Sequence, residues 1–138
     1  MFRELTRKKQ KLTHEECIEI LNQELRGVLA VNGDDGYPYA LPINFYFDEA
    51  NKKIYFHSGK AGHKLDAIAN SNKVSFCVYD KGYHKDEHWS LNIRSVIVFG
   101  RIRIIDDPDR IVRITTKLSH KFTQDEDYIR TEIEKGLP

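Results

Sequence analysis

Cysteine is scarce in this chain of 138 residues, and the two present, Cys17 and Cys77, lie far apart with no CxxC or Cys/His spacing around them. That excludes a disulfide framework and leaves them as buried or free thiols. No stretch approaches the roughly 20 apolar residues needed to span a bilayer. The opening segment MFRELTRKKQK is charged with no apolar run behind it, so a cytoplasmic protein without membrane association is expected. An excess of one charge sign is missing too: 22 Lys and Arg face 21 Asp and Glu, a net of +1. Nucleic-acid binders carry a basic excess, so none is expected here and any anion site must be local. The early cations Arg3, Arg7, Lys8, Lys9 and Lys11 read as a solvated terminal segment. Repeats and low-complexity tracts are absent, as is any Ser/His/Asp or Cys/His nucleophile arrangement, so no hydrolase is indicated.

What is present suits one compact domain over residues 1–138, since 40% of the residues are hydrophobic and 31% charged. A two-domain enzyme is excluded, and a chain of this length buries roughly two thirds of its unfolded surface, enough for one sizeable core. Thr13 and Glu16 form a capping box ahead of Cys17, Ile20, Leu21 and Leu25, which predicts a short amphipathic helix stopping near Gly27. From there to about Asp80 the hydrophobic period is two, with turns at 33–36 and 48–51. In the second run Tyr39, Leu41, Ile43, Phe45 and Phe47 share one face and Pro42, Asn44 and Tyr46 the other. Pro42 has no N–H for a ladder, so its strand is expected at an edge or bulge, where backbone groups stay open to a ligand. Further strands are predicted over Lys53–Ser58, Lys73–Asp80 and Ile93–Asp106, the last with Val96, Val98, Ile102 and Ile104 on one face. A mid-chain helix spans about Gly62 to Ser71, and two more close the chain, opened by Asp107-Pro108 and by Thr123. Five strands flanked by helices predict a mainly β fold, a small antiparallel barrel.

Chemistry is expected first at His57-Ser58-Gly59-Lys60-Ala61-Gly62-His63-Lys64. A strand end bearing a histidine and a hydroxyl, a glycine loop and a helix first turn with two cations make a sensible phosphate cradle, because helix N-terminal amides attract anions. A plain strand-to-helix loop with solvated cations fits the same residues, and the P-loop pattern does not. His84 to His88 matches HxxEH, found in some zinc peptidases, but no helical stripe supports it, so no metal is expected. Trp89 anchors its loop or walls an aromatic pocket. Gly36-Tyr37-Pro38-Tyr39 could stack bases, which the missing basic stripe argues against.

Three segments in order carry a resemblance: Tyr39-Ala40-Leu41-Pro42-Ile43-Asn44-Phe45; then Ile54-Tyr55-Phe56-His57-Ser58 with Gly62-His63-Lys64-Leu65-Asp66; then Arg94-Ser95-Val96-Ile97-Val98-Phe99-Gly100-Arg101. Over about residues 1 to 135 the chain resembles the pyridoxamine 5'-phosphate oxidase-related flavin proteins, and among them the nitroimidazole-resistance (Nim-type) subgroup. The resemblance implies a split β-barrel homodimer holding FMN at each of two interface clefts. It implies that Leu41, Pro42, Ile43, Asn44 and Phe45 lie along the flavin ring mainly through backbone groups, and that His57, Ser58, His63 and Lys64 hold the phosphate. Ser95 and Val96, with Trp89 nearby, would reach the cleft or its rim, and His57 is the candidate for a side chain in chemistry. The implied activity is that of an FMN-dependent oxidoreductase, a nitroreductase or a pyridoxamine-phosphate-oxidase-like enzyme, acting on small nitro-aromatic or aromatic compounds. The flavin does the redox work and the protein tunes it. The alternative is a non-catalytic flavin- or haem-binding module, with axial ligands among His14, His57, His63, His84, His88 and His120. Relatives of this type usually continue past the helix ending at Lys135-Gly136-Leu137-Pro138 into a final barrel strand, so two readings stand as expectations: a short variant with an open barrel edge to be covered by a helix or the partner, or a chain whose last strand is missing.

Overall fold

Thr13 caps the first helix, α1 (His14–Gln23), with both halves of the predicted capping box: its Oγ1 accepts from Glu16 N at 3.2 Å, and its own N–H donates to Glu16 Oε1 at 3.0 Å. The computed structural model describes residues 11–57, 63–84 and 91–123, with backbone alone for 63–65, 83, 84 and 91. Ile20 and Leu21 form the buried stripe of α1. The expected stop at Gly27 is corrected, because the helix ends at Gln23 and Glu24 N closes it on Ile20 O at 3.0 Å. Gly27 instead lies in strand β1 (Arg26–Asn32), where the Phe76 ring occupies the place of its missing side chain. A Cβ there would run into that ring and lie 2.8 Å from the Cys77 carbonyl.

A tight turn follows, with Asp35 at φ 56° and Gly36 at φ 78°, and delivers β2 (Pro38–Asp48), the longest strand described. Then come β3 (Lys53–Phe56), α2 (His63–Asn70), β4 (Lys73–Tyr79), a short ribbon of β5 (Tyr83–His84) with β6 (Leu91–Asn92), β7 (Ser95–Arg101) and α3 (Pro108–His120). The main sheet has the order β3-β2-β1-β4-β7, antiparallel throughout. It curls into a half-barrel, so the expected mainly β, split-barrel class holds. The connection through α2 carries the chain from one edge back across β2 and β1.

Period-two burial follows the sequence pattern. Leu29 and Val31 of β1, Ile43 and Phe45 of β2, and Phe76 and Val78 of β4 meet Ile20, Leu21 and Ala67 in one core. The Phe76 ring stands edge-on to Phe45 and Phe56, at centroid separations of 5.0 and 4.9 Å, an arrangement aromatic quadrupoles favour. The last predicted strand is shorter than expected. Its ladder with β4 ends at Lys73↔Arg101 because β4 begins there, and after Ile102 N bonds Asn72 O at 2.9 Å the chain departs. Ile104, expected inside, is 65% exposed, whereas Val96, Val98 and Ile102 pack on the core.

Asp80 ties the end of β4 to the start of β7. Its Oδ2 accepts from Arg94 Nε at 2.9 Å, and its Oδ1 from the backbone N–H groups of Arg94 and Gly82 at 3.0 Å each. The Arg94 guanidinium holds this carboxyl below the usual carboxylate range. Asp107 caps α3 by accepting from Asp109 N at 3.1 Å, with Pro108 at the first helical position as expected. Most of the helix predicted from Thr123 lies outside the described residues. Both cysteines are unpaired and half-buried, in line with free thiols.

Gly27→Ala is expected to lower stability by about 1–3 kcal/mol through overpacking against Phe76. Urea denaturation reads this directly, and an unchanged midpoint would mean that the ring moves aside at no cost.

Candidate functional site

β3 pairs with β2 only from Phe45 to Asp48, so among the described residues the first half of β2 has a neighbouring strand in β1 alone. Phe45 N donates toward the β1 side, to Leu25 O at 3.4 Å. By antiparallel alternation the backbone groups of Pro42 and Asn44 then point to the open side. The expected edge is therefore local: among the described residues β2 is interior along 45–48 and an edge along 38–44, where proline costs no ladder bond.

α3 crosses the outer face of this half-open strand. Between them lies a cleft of about 540 Å³, lined from the sheet by Arg26, Pro42, Ile43, Asn44 and His57. From α3 and its end come Thr115, Leu118, Ser119, Phe122 and Thr123. Arg26 Nε donates to Asn44 Oδ1 at 2.8 Å, which fixes the amide across the strand pair. Pro42, Leu118 and Phe122 supply apolar walls, and Arg26, the Asn44 amide and three hydroxyls supply polar groups. An apolar slot with a few fixed polar groups is the usual design of a small-molecule site.

Four of the expected residues, Pro42, Ile43, Asn44 and His57, come together in this cleft. Leu41 and Phe45 share the strand but turn their side chains to the core. Both backbone groups of Phe45 are engaged, its N–H by Leu25 O and its carbonyl by Lys121 Nζ at 2.8 Å. His57 is exposed at the end of β3. His63 and Lys64 occupy the first turn of α2, as the phosphate cradle requires of their backbone. Ser58 and Trp89 lie outside the described residues. Ser95 is exposed on β7, separated from β2 by β1 and β4, and Val96 packs inward on the core. One chain therefore does not bring these two into the cleft.

Sequence reasoning missed Arg26, Thr115, Ser119 and Thr123. Thr115, Ser119 and Thr123 repeat every four residues, a legible polar stripe, but only the docking of α3 gives that stripe something to face. It also missed Lys121, whose Nζ donates to Glu24 O and Phe45 O at 2.8 Å each and lies 3.9 Å from the Phe45 ring centroid. Burial pushes this ammonium down to about 8, against the pull of Glu24. His84 is a strand residue, so the helical spacing that HxxEH needs does not start there. Among the described residues no cluster of His, Cys, Asp or Glu could hold a metal, and no helix is long and apolar enough to cross a membrane.

A curled antiparallel sheet, one crossover helix and a cleft beside a half-open strand define a split-barrel protein. The profile of the pyridoxamine 5'-phosphate oxidase family matches residues 13–137, and the chain belongs to that family. Among solved structures it is similar to a candidate 5-nitroimidazole antibiotic resistance protein of Bacteroides thetaiotaomicron, with 22% identity, a TM-score of 0.75, and coverage of 83% of this chain and 69% of that one. It is also similar to an FAD-binding protein of Mycobacterium smegmatis, with 28% identity, a TM-score of 0.54, and coverage of 70% and 79%. An FAD- and haem-binding protein of the same organism aligns at 20% identity with a TM-score of 0.68, over 88% of this chain and 62% of that one. No curated protein matches the sequence.

Lys121→Met keeps the stem but leaves two carbonyls without a donor, at an expected cost of about 1–3 kcal/mol. Because the folded ammonium titrates near 8 and the unfolded one near 10.5, the unfolded chain binds more protons between these values. Wild-type stability should therefore rise relative to the variant from about pH 8 to about pH 10. The neutral amine still offers two N–H groups for the two carbonyls. Urea titrations across that range would reveal a flat difference if the ammonium stays charged in the fold.

Proposed function

We propose that the protein is an FMN-binding flavoprotein, working as a homodimer, that reduces small nitro-aromatic compounds. The observation that carries this is the cleft between α3 and the open half of β2, where an apolar slot is rimmed by Arg26, the Asn44 amide, His57 and hydroxyls. These residues fit a flat heteroaromatic ring with carbonyls and ring nitrogens. Open backbone groups at Pro42 and Asn44 would meet its edge. The first turn of α2, with His63, Lys64 and Ser58 before it, would hold the phosphate. Bound flavin would supply hydride or single-electron transfer. Family membership and the flavin-binding proteins among the structural relatives support this reading.

The chain's own residues would bind and orient. Pro42, Leu118 and Phe122 would shield the ring from water, and Arg26 holds the Asn44 amide in one orientation. His57, in the cleft wall, would donate a proton or a hydrogen bond to a bound substrate. The homodimer is supported by the outer face of β4 and β7, where Tyr79, Ile97 and Phe99 are 54%, 60% and 57% exposed. A second copy covering that face would also bring Ser95 toward a cleft.

The test is an absorbance spectrum after adding FMN and gel-filtering away the excess. About one flavin per subunit is expected, and reoxidation of the chemically reduced flavin by a nitro-aromatic compound would extend the assignment to activity. No flavin uptake would sink the proposal, and a Soret band in the purified protein would favour a haem-binding module instead. Lys64→Ala should weaken FMN retention by about 1.5–3 kcal/mol, the worth of a charge-assisted hydrogen bond, and leave riboflavin almost unaffected. Equal losses for both would show that Lys64 acts through folding.

A further inference from the structure

α3 carries a second line of chemistry beside the hydroxyl stripe. Arg110, Arg113 and Lys117 recur at helical spacing, and with Lys53 of β3 they line a separate groove of about 330 Å³. Its floor is Tyr46 and Tyr55, whose rings stack across β2 and β3 at 6.3 Å with 18° between their planes. Lys117 Nζ stands 6.0 Å from the Tyr46 ring centroid. Four cations thus meet one carboxylate, Asp48, in a chain whose net charge is only +1. Asp48 is turned to Asn51, whose N and Nδ2 donate to it at 3.3 and 2.8 Å. Among the described residues none of the four cations forms an ion pair.

Asp48 offsets Lys117 in part, and the remaining positive charges repel one another and destabilise the fold unless an anion joins them. At a rise of 1.5 Å per residue the row from Arg110 to Lys117 is about 10 Å long. That is more than one phosphate reaches and suits two linked phosphates. Guanidinium groups bind phosphate oxygens in pairs, and Lys53 and Lys117 add point charges. Nucleic acid is disfavoured, since the chain has no general basic excess.

We propose that this groove, formed by Lys53, Arg110, Arg113 and Lys117 over the Tyr46–Tyr55 pair, is a binding site for a diphosphate group. The group is either free or part of a nucleoside diphosphate. The site is distinct from the flavin cleft, which faces Thr115 and Ser119, and it does not depend on flavin being bound.

Calorimetric titration of the full chain with sodium pyrophosphate tests it, using wild type, Arg113→Gln/Lys117→Gln and Lys64→Ala. One pyrophosphate is expected in this groove, weakening with added salt, besides any held at the first turn of α2. Affinity for the groove should fall about tenfold or more in the double variant, whereas Lys64→Ala should leave that binding in place and weaken only a pyrophosphate held at the first turn of α2. Lys53→Gln, on the strand side, should weaken binding as well, and thermal melts check that each variant folds. Titration with ADP separates the sources: tighter binding than pyrophosphate assigns a nucleotide, and equal binding a free diphosphate, each consistent with the site. Absence of pyrophosphate binding would overturn the proposal. So would loss in Lys64→Ala with retention in the double variant, which would assign binding to the loop before α2.

Discussion

The docking of α3 onto the outer face of β2 is the constraint on which both grooves depend, and one ammonium group holds it in register. Lys121 sits just past the helix end and reaches two carbonyls of different segments, Glu24 after α1 and Phe45 in β2, while its charge faces the Phe45 ring. Leu118 is the only residue of α3 that is fully buried among those described. A helix with so little apolar burial would slide on its sheet if hydrophobic contact alone fixed it, because that contact is non-directional. Directed hydrogen bonds to carbonyls fix position as well as contact. Once α3 is placed, its hydroxyl stripe faces the open half of β2 and its cationic stripe faces the end of β2 and β3.

The sheet below is set by the exchange between Gly27 and Phe76. A side chain of any size at residue 27 would displace the ring that meets Phe45 and Phe56 edge-on. The absence of a side chain in β1 thus lets one phenylalanine link β4 to β2 and β3. The half-open state of β2 follows from lengths: β3 has four residues against eleven in β2, so the ladder stops where Pro42 begins to need an edge. The candidate cleft and the fold meet at that proline, whose missing N–H would be a defect inside a complete sheet.

Local patterns were legible wherever the physics is local. The capping box at Thr13, the Asp107-Pro108 start of α3, the turn at 33–36 and the inward alternation of β2 and β4 follow from hydrogen bonds and side-chain periods within a few residues. Gly27 misled because a glycine after an amphipathic run also ends helices, and only β4 explains why glycine is needed there. The end of the last strand was illegible for a related reason, since its apolar alternation runs on past Arg101 while its partner does not. Pro42, Ile43, Asn44 and His57, which line one cleft, were singled out in the sequence, Pro42 and His57 through a proline in a strand and a histidine at a strand end. Arg26, Thr115 and Ser119 carried no such mark.

The sequence by itself determined the mainly β class, the helix caps, the faces of the core strands and the family, because each rests on spacing or on an ordered set of motifs. Tertiary structure alone decided that Ser95 is remote from Pro42 within one chain, that Lys121 spans two segments, and that α3 divides its outer surface between two grooves. Those outcomes depend on how elements distant in sequence are superposed, and the energies that choose the superposition, burial and hydrogen bonding between segments, leave no periodic trace in either segment alone.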